Sequence, residues 1–363
     1  MRVLLAGGGS GGSATPILAV ASELRARLPG IELLYIGTFA GPEGELAAQE
    51  GIPYVGVASG KLRRYWDAQN VTDLGRIVQG VGQSLGQVRR FRPDVACGAG
   101  GFASVPPLAA AGLYRVPILI HQQDVIPGLA NKLLVPFASQ ITVALPDSMR
   151  AFPASRTTLR GNPVRQRVLD GDPAEGFRAF GFDPAIPLLL VTGGGTGALG
   201  LNRIVAAAAP RLVEHCQVLH LTGPGRGVPT AELGPRYQHR ELLITEMPHV
   251  LAAATVVVTR AGMGTLTELS ALGKPSIVVP MPGTHQEANS RVFTRAGAAL
   301  AFAQGDLSPE LLAATVRDLL ADEPRRRTLS QAIRALMPPD AAGRIAEDVL
   351  ALGRGAPRAR GQR

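Results

Sequence analysis

The sequence predicts an α/β protein made of two Rossmann-like, doubly wound domains facing each other across a cleft. Two observations carry this. Short apolar runs alternate along the chain with helical segments, the rhythm of a parallel sheet covered on both faces. The opening pattern of apolar run, glycine-rich turn and amphipathic helix also occurs twice, as "RVLLAGGGSGGSATPILAVASELRARL" and as "PLLLVTGGGTGALGLNRIVAAAAPRL". Sheets of this kind bind ligands beyond the carboxyl ends of their strands.

In the first half, the strand-like runs are "RVLLA", "IELLYIG", "PDVACGAGG", "VPILIHQ" and "QITVAL", separated by segments such as "SVPPLAAAGLYR" and "GLANKLLVPFA". Around "LRGNPVRQ" the rhythm breaks and the charged stretch "DGDPAEGFRAFGFDPAIP" follows, which marks a domain boundary. The second half continues with "VLHLTG", "LLITE", "TVVVTRAG", "PSIVVP" and "ALAFAQ" as strands and ends in helices. The expected organisation is a first domain over 1–160, a second over 161–340, a helix over 341–353 packing back on the first domain, and a basic disordered tail over 354–363.

With 46% hydrophobic and 18% charged residues over 363 positions, the chain can bury two sizeable cores. Cys97 and Cys216 are far apart and lack metal-ligand spacing, which suits buried thiols in a reducing compartment. The net charge of +9 points to an anionic partner, yet four arginines sit in the last ten residues, "RGAPRARGQR". One tryptophan and 4% aromatic residues argue against a single-strand nucleic-acid platform built on stacking, so no nucleic acid is expected as a partner.

Glycines between strand and helix let an anion approach the backbone, where helix N-terminal amides donate to it. Gly7, Gly9 and Gly12 match G-x-G-x-x-G, but the second strand "IELLYIGTF" carries no acid at its end, as a dinucleotide site would require. No Gly-Lys-Ser/Thr follows either, so the turn is not an ATP-type loop. Both glycine turns remain open to a phosphate or to a purely structural tightness.

"TRAGMGTLTELSALGKPSIVVPMPGTHQEANS" and "GNPVR", together with "HQQDVIPGLANKLL" and "GAGGFASVPPLAAA", resemble the MurG family of bacterial peptidoglycan glycosyltransferases from Arg2 to about Leu352. The resemblance implies a GT-B fold with UDP-GlcNAc mainly on the second domain and an undecaprenyl-linked acceptor on the first. It implies inverting transfer of N-acetylglucosamine to the C4 hydroxyl of undecaprenyl-diphosphoryl-MurNAc-pentapeptide, with neither cofactor nor metal, at the cytoplasmic face of the membrane. No Asp-x-Asp occurs in the chain. Leaving-group charge would instead meet amides and arginine.

Carried over by motif, the donor-binding positions are Ser10, Gly11, Gly12, Asp124, Arg165, Gly195, Thr196, Met247, Met263, Gly264, Thr265, Leu266, Thr267, Glu268 and Gln286. Glu268 is expected to accept from the ribose hydroxyls, Gln286 to meet the sugar, and Met247 to match the uracil contact. The chain departs from the family in three places. Gly195 stands where serine is usual. Ser13 replaces the loop histidine often proposed as the base, and His121-Gln122-Gln123-Asp124 replaces His-Glu-Gln-Asn. A hydroxyl is too weak a base unaided, so His121 and Asp124 are the catalytic candidates, with donor positioning the alternative for Asp124.

A lipid acceptor requires an anionic membrane surface as a further partner. Leu74, Ile77, Val78, Val81, Leu85 and Val88 recur at helical spacing between Arg63–Arg64 and Arg89, Arg90 and Arg92, so Leu74, Ile77, Val78 and Val81 are candidate membrane contacts. The same stripe would also suit a helix packed on its own sheet. Two other classes stay open at this point: another GT-B enzyme, such as a glycolipid glycosyltransferase or a UDP-GlcNAc 2-epimerase, and a catalytically weakened nucleotide-sugar binder.

Overall fold

The computed structural model describes residues 1–9, 11–60, 69–230 and 232–355. It divides into two compact units, the first comprising Met1–Arg165 and the chain from Asp340, the second Gln166–Pro339. The division falls after Arg165 rather than after position 160, because residues 161–164 are buried and Asn162 is bonded to His121 of the first unit.

The first unit runs β1 (Arg2–Ala6), α1 (Gly11–Arg27), β2 (Glu32–Thr38), α2 (Glu43–Gln49), β3 (Tyr54–Val57), α3 (Gln69–Phe91), β4 (Val95–Gly98), α4 (Val105–Leu113), β5 (Ile118–Gln122), α5 (Leu129–Leu134), β6 (Gln140–Val143) and β7 (Thr157–Leu159). Its seven strands form one parallel sheet in the order β3-β2-β1-β4-β5-β6-β7. Alternation within the apolar runs supplies both faces. Val3, Leu5, Tyr35, Cys97 and Leu119 meet α1, while Leu4, Ala6, Ile36, Ala96, Ile118 and Ile120 meet Val88 of α3 and Leu108 of α4. A buried aliphatic side chain of this kind contributes about 1.5–3 kcal/mol.

The second unit comprises α6 (Gln166–Leu169), α7 (Pro173–Phe180), β8 (Leu188–Thr192), α8 (Leu199–Leu212), β9 (Gln217–Leu221), β10 (Tyr237–Arg240), α9 (Met247–Ala253), β11 (Val256–Thr259), α10 (Met263–Leu272), β12 (Ser276–Val278), α11 (Gln286–Arg295), β13 (Leu300–Ala301), α12 (Pro309–Ala321) and α13 (Glu323–Leu336). Its parallel sheet has the order β10-β9-β8-β11-β12-β13. "LLITE" is not a strand. Leu242 and Ile244 are 46% and 53% exposed, so the run has no face to bury, and the edge strand forms earlier at Tyr237–Arg240.

The final helix, α14 (Ala341–Gly355), belongs to the first unit. Its Ile345, Ala346, Val349 and Leu350 join the α1 core. Arg160 clamps it by a two-bond fork to Asp348, at 2.8 and 2.9 Å. The sequence reading ended this helix at position 353, and the tail from 356 lies outside the described residues. Cys97 and Cys216 are buried free thiols, each pushed up to about 12 by burial.

Candidate active site

In the second unit, the turn after β8 is held from behind and left open in front. Gly197 takes φ +70°, and a Cβ there would lie 2.2 Å from the Thr222 carbonyl, so only glycine fits against the next strand. Behind it Asn202 donates to the carbonyls of Thr222 and Arg226 at 2.8 and 2.9 Å and meets His220, which meets the Tyr237 hydroxyl. In front, Gly195 and Thr196 are exposed, and a Cβ on Gly194 or Gly195 would meet nothing within 4 Å.

The turn after β11 leads into α10 with the same openness. Gly262 at the N-cap has no side chain, so no cap satisfies the first amides of Met263, Gly264 and Thr265, while Leu266 N–H already donates to Gly262 O at 3.0 Å. These amides and the helix dipole suit a phosphate. Glu268 is half-buried one turn further along α10. Arg260, in "TRAG", is a brace beneath the turn. It is buried and donates to the carbonyls of Val279 and Pro280 and to Gln304 Oε1 at 3.0, 3.1 and 2.5 Å, and burial lowers its pKa.

Two of the predicted donor positions turn inward. Leu266 is fully buried in the core, with its amide used in the helix. Thr267 is 3% exposed, and its hydroxyl donates to the Met263 carbonyl at 2.8 Å, so both side chains are enclosed by the unit. Met263 likewise offers only its amide, since its side chain is 4% exposed. Gln286 opens α11, and its Oε1 accepts from Met281 N–H at 3.0 Å, which leaves its NH2 end for a hydroxyl. Asn289 ties that helix to the α10 turn by donating to Ala261 O at 3.1 Å. Met247 is half-buried at the start of α9.

In the first unit, Ser10 lies outside the described residues, Gly11 begins α1, and Gly12 is exposed. Ser13 is 7% exposed, and its hydroxyl donates to Gly8 O at 3.1 Å. Gly101 packs against it, since a Cβ there would stand 2.8 Å from the Ser13 oxygen. The serine thus closes its own loop against the segment that carries Gly101.

His121, named with Asp124 as a catalytic candidate, is enclosed in the first unit. It is 1% exposed, with Nδ1 at 3.0 Å from Thr142 Oγ1 and Nε2 at 2.8 Å from Asn162 Oδ1, so both ring nitrogens are occupied. Burial pushes its pKa down from 6.5 to about 4, although the Asn162 bond works against that shift. The bond joins "HQQD" to "GNPVR", which places half-buried Arg165 three residues beyond Asn162. Gln122 donates to Asp124 O at 2.7 Å and accepts from Asn131 at 2.7 Å, so the chain around half-buried Asp124 is fixed.

Of the membrane candidates on α3, Leu74 and Val78 are 55% and 66% exposed. Ile77 packs instead against the α4 core, and Val81 is half-buried. Sequence periodicity missed four exposed apolar residues nearby: Leu113 at the end of α4 and Tyr114 just after it, Leu133 on α5, and Phe137. They were hidden because α3, α4 and α5 are brought side by side only by folding.

The His121 shift fixes a pH dependence. Between about 4 and 6.5 the unfolded chain takes up a proton that the native imidazole refuses, so this site favours the fold fully above pH 6.5 and ceases to do so as pH falls to about 4. The slope reaches about 1.4 kcal/mol per pH unit. Melting curves across this range should show Tm falling with acidity more steeply in the wild type than in His121→Gln. Parallel slopes would refute a neutral, buried His121.

Residues 3–143 match the model of the glycosyltransferase family 28 N-terminal domain, and residues 188–345 that of the family 28 C-terminal domain. A Symbiobacterium thermophilum protein named "UDP-N-acetylglucosamine--N-acetylmuramyl-(pentapeptide) pyrophosphoryl-undecaprenol N-acetylglucosamine transferase" is 37% identical over 362 residues, covering 98% of this chain and 97% of its own. The protein of the same name from Lachnospira eligens is 35% identical over 325 residues, 88% and 91% of the two chains. The crystal structure of Acinetobacter baumannii MurG superposes with a TM-score of 0.71 at 23% identity, over 96% of this chain and 99% of the other, which shows the shared fold. With both family 28 domains present in order and relatives matched along nearly its whole length, the chain belongs to glycosyltransferase family 28 and, within it, to the MurG family.

Proposed function

We propose that this protein moves N-acetylglucosamine from UDP-GlcNAc to the C4 hydroxyl of undecaprenyl-diphosphoryl-MurNAc-pentapeptide, with inversion, to make the lipid-linked disaccharide of peptidoglycan synthesis. The observation that carries the reading is the uncapped N-terminus of α10 beside the open Gly194–Gly195 turn, an anion site with Glu268 one turn beyond it. Relatives that share this chain's length bear the name of that activity.

In this reading the second unit holds the donor. The amides of Met263, Gly264 and Thr265 and the Gly195–Thr196 turn take the diphosphate, Glu268 accepts from the ribose hydroxyls, Met247 lies against uracil, and Gln286 meets the sugar. As the bond from the anomeric carbon to the diphosphate breaks, its electron pair goes to the UDP oxygen, whose charge the helix dipole and amides stabilise. The acceptor C4 oxygen forms the new bond and gives up its proton. Ser13 and His121 are both occupied inside the first unit, so Asp124 takes that proton.

The first unit takes the lipid-linked acceptor and rests peripherally on the anionic cytoplasmic face of the membrane. Leu74, Val78, Leu113, Tyr114, Leu133 and Phe137 supply apolar contact, and Arg89, Arg90, Arg115 and Lys132 supply charge for headgroups. Among the described residues no helix is long and apolar enough to cross a membrane. The basic surplus serves headgroups in this reading rather than nucleic acid.

Release of UDP from UDP-GlcNAc, measured with and without a short-chain lipid acceptor, tests the activity, and acceptor-independent release or none at all would count against it. Glu268→Ala should weaken UDP binding by roughly 1.5–3 kcal/mol, the scale of a hydrogen bond to a charged group, and calorimetry reads it directly. Asp124→Asn should lower kcat by about 10²- to 10⁴-fold with UDP affinity kept, whereas a near-wild-type kcat removes Asp124 as the base. Replacing Leu74 and Val78 together by serine should cut binding to anionic vesicles by on the order of 10²-fold or more, because each side chain withdrawn from lipid forfeits about 1.5–3 kcal/mol. The melting temperature should barely move, and a drop of several degrees would place the pair in the core.

A further inference from the structure

The two glycine turns look alike in sequence but differ in what fills them. At the turn after β8, Cβ atoms built on Gly194 or Gly195 meet nothing within 4 Å. The first-unit turn is filled by the protein itself. A Cβ on Gly9 would strike the Phe102 ring at 2.1 Å, and one on Gly8 would lie 2.4 Å from the carboxyl carbon of Glu43.

Glu43 begins α2 and is wholly buried. Its Oε2 accepts from Gly9 N–H at 3.3 Å, while Oε1 accepts from the Thr38 amide and hydroxyl at 2.9 and 2.6 Å. Glycines make room for the carboxylate: a Cβ on Gly41 would stand 2.1 Å from Oε2, and one on Gly37 2.7 Å from Cγ. The Tyr54 hydroxyl donates to Thr38 O and so fixes the residue that fixes Glu43. The Gly9 amide thus donates to a buried carboxylate oxygen as the amides of such turns donate to a phosphate oxygen.

We propose that Glu43 is a positioning residue for the transfer reaction: its carboxylate stands in for a bound phosphate in the β1–α1 turn and holds that turn as a fixed wall of the acceptor site. This rests on the transferase reading above. Nucleotide phosphate then has a place only at the second-unit turn, although both turns carry the glycines for it. Ser13, bonded to Gly8 on the same turn, completes the internal closure. Among the described residues a carboxylate is bonded to the first turn, at Gly9, and none is bonded to Gly194 or Gly195 of the second, which sorts two near-identical motifs into one wall and one ligand site.

The test compares wild type with Glu43→Ala and the near-isosteric Glu43→Gln, which keeps an acceptor for Thr38 but turns an NH2 toward the Gly9 amide. Three quantities are read: UDP affinity by calorimetry, kcat with a short-chain lipid acceptor, and hydrogen exchange of the peptide carrying Gly9. In Glu43→Ala, kcat should fall by on the order of 10²-fold, as misplacement of a positioned group does, with UDP Kd unchanged and Gly9 exchange accelerated. Sodium formate, a free carboxylate small enough for the vacated seat, should restore both kcat and exchange protection. Glu43→Gln should fall between the two and carries the test alone should the alanine variant fail to fold. Wild-type exchange and kcat in Glu43→Gln, or a loss of UDP affinity matching the loss of kcat, would overturn the proposal. If the wild type itself transfers no sugar, the transferase reading fails, whereas exchange at Gly9 and its recovery in formate still decide whether Glu43 holds the turn.

Discussion

A parallel strand covered on both faces can offer a ligand only what lies beyond its carboxyl end, and every central strand of both sheets is covered in this way. The constraint moves polar chemistry into a few short turns: those after β1 and β5 in the first unit and those after β8 and β11 in the second. Because a turn has no core of its own, each must be held by side chains from neighbouring elements. Asn202 and His220 hold the β8 turn, Arg260 and Asn289 the β11 turn, Glu43 and Ser13 the β1 turn, and Asn131 with Gln122 the β5 turn. Several of these are buried polar groups, and a buried polar group without a partner costs about 1–3 kcal/mol, so the brace and the turn stabilise one another.

The fold was legible where a pattern is local. Alternation of apolar runs with helical ones reports a doubly wound sheet because each strand lies within one short window of sequence. "LLITE" failed on the same ground: its apolar residues suit a strand, but β9 pairs with Tyr237–Arg240 instead and leaves Leu242 and Ile244 in solvent. Periodicity also merged two faces of α3, because a stripe one residue too wide includes both Ile77, which packs on the core, and Val78, which faces outward.

Candidate positions could be named by motif, but the direction of their side chains could not. The stretch from Met263 to Glu268 reads as one binding segment, yet a helix sends successive side chains around its axis at 3.6 residues per turn. The amides at its start remain open, while Leu266 and Thr267 point into the unit. The partners of His121 were equally out of reach. Thr142 and Asn162 lie 21 and 41 residues away, and nothing local marks them as the groups that occupy the ring.

Those partners change what the altered family positions mean. An imidazole that accepts or donates at both nitrogens, enclosed and with its pKa at about 4, serves as a rivet between β5, β6 and the "GNPVR" segment. Its value lies in placing Arg165 and the backbone of Asp124, and that value does not depend on proton transfer. Ser13 follows the same logic: its hydroxyl lies between Gly8 O and Gly101 and ties the turn to itself. The turn that loses a proton acceptor lies in the same unit as a carboxylate that the family's amide would not supply, at Asp124. Of the residues at the altered positions, Asp124 alone combines an ionisable oxygen with partial exposure, which is why the proposed transfer reaction assigns proton acceptance to the loop after β5 and not to the loop after β1.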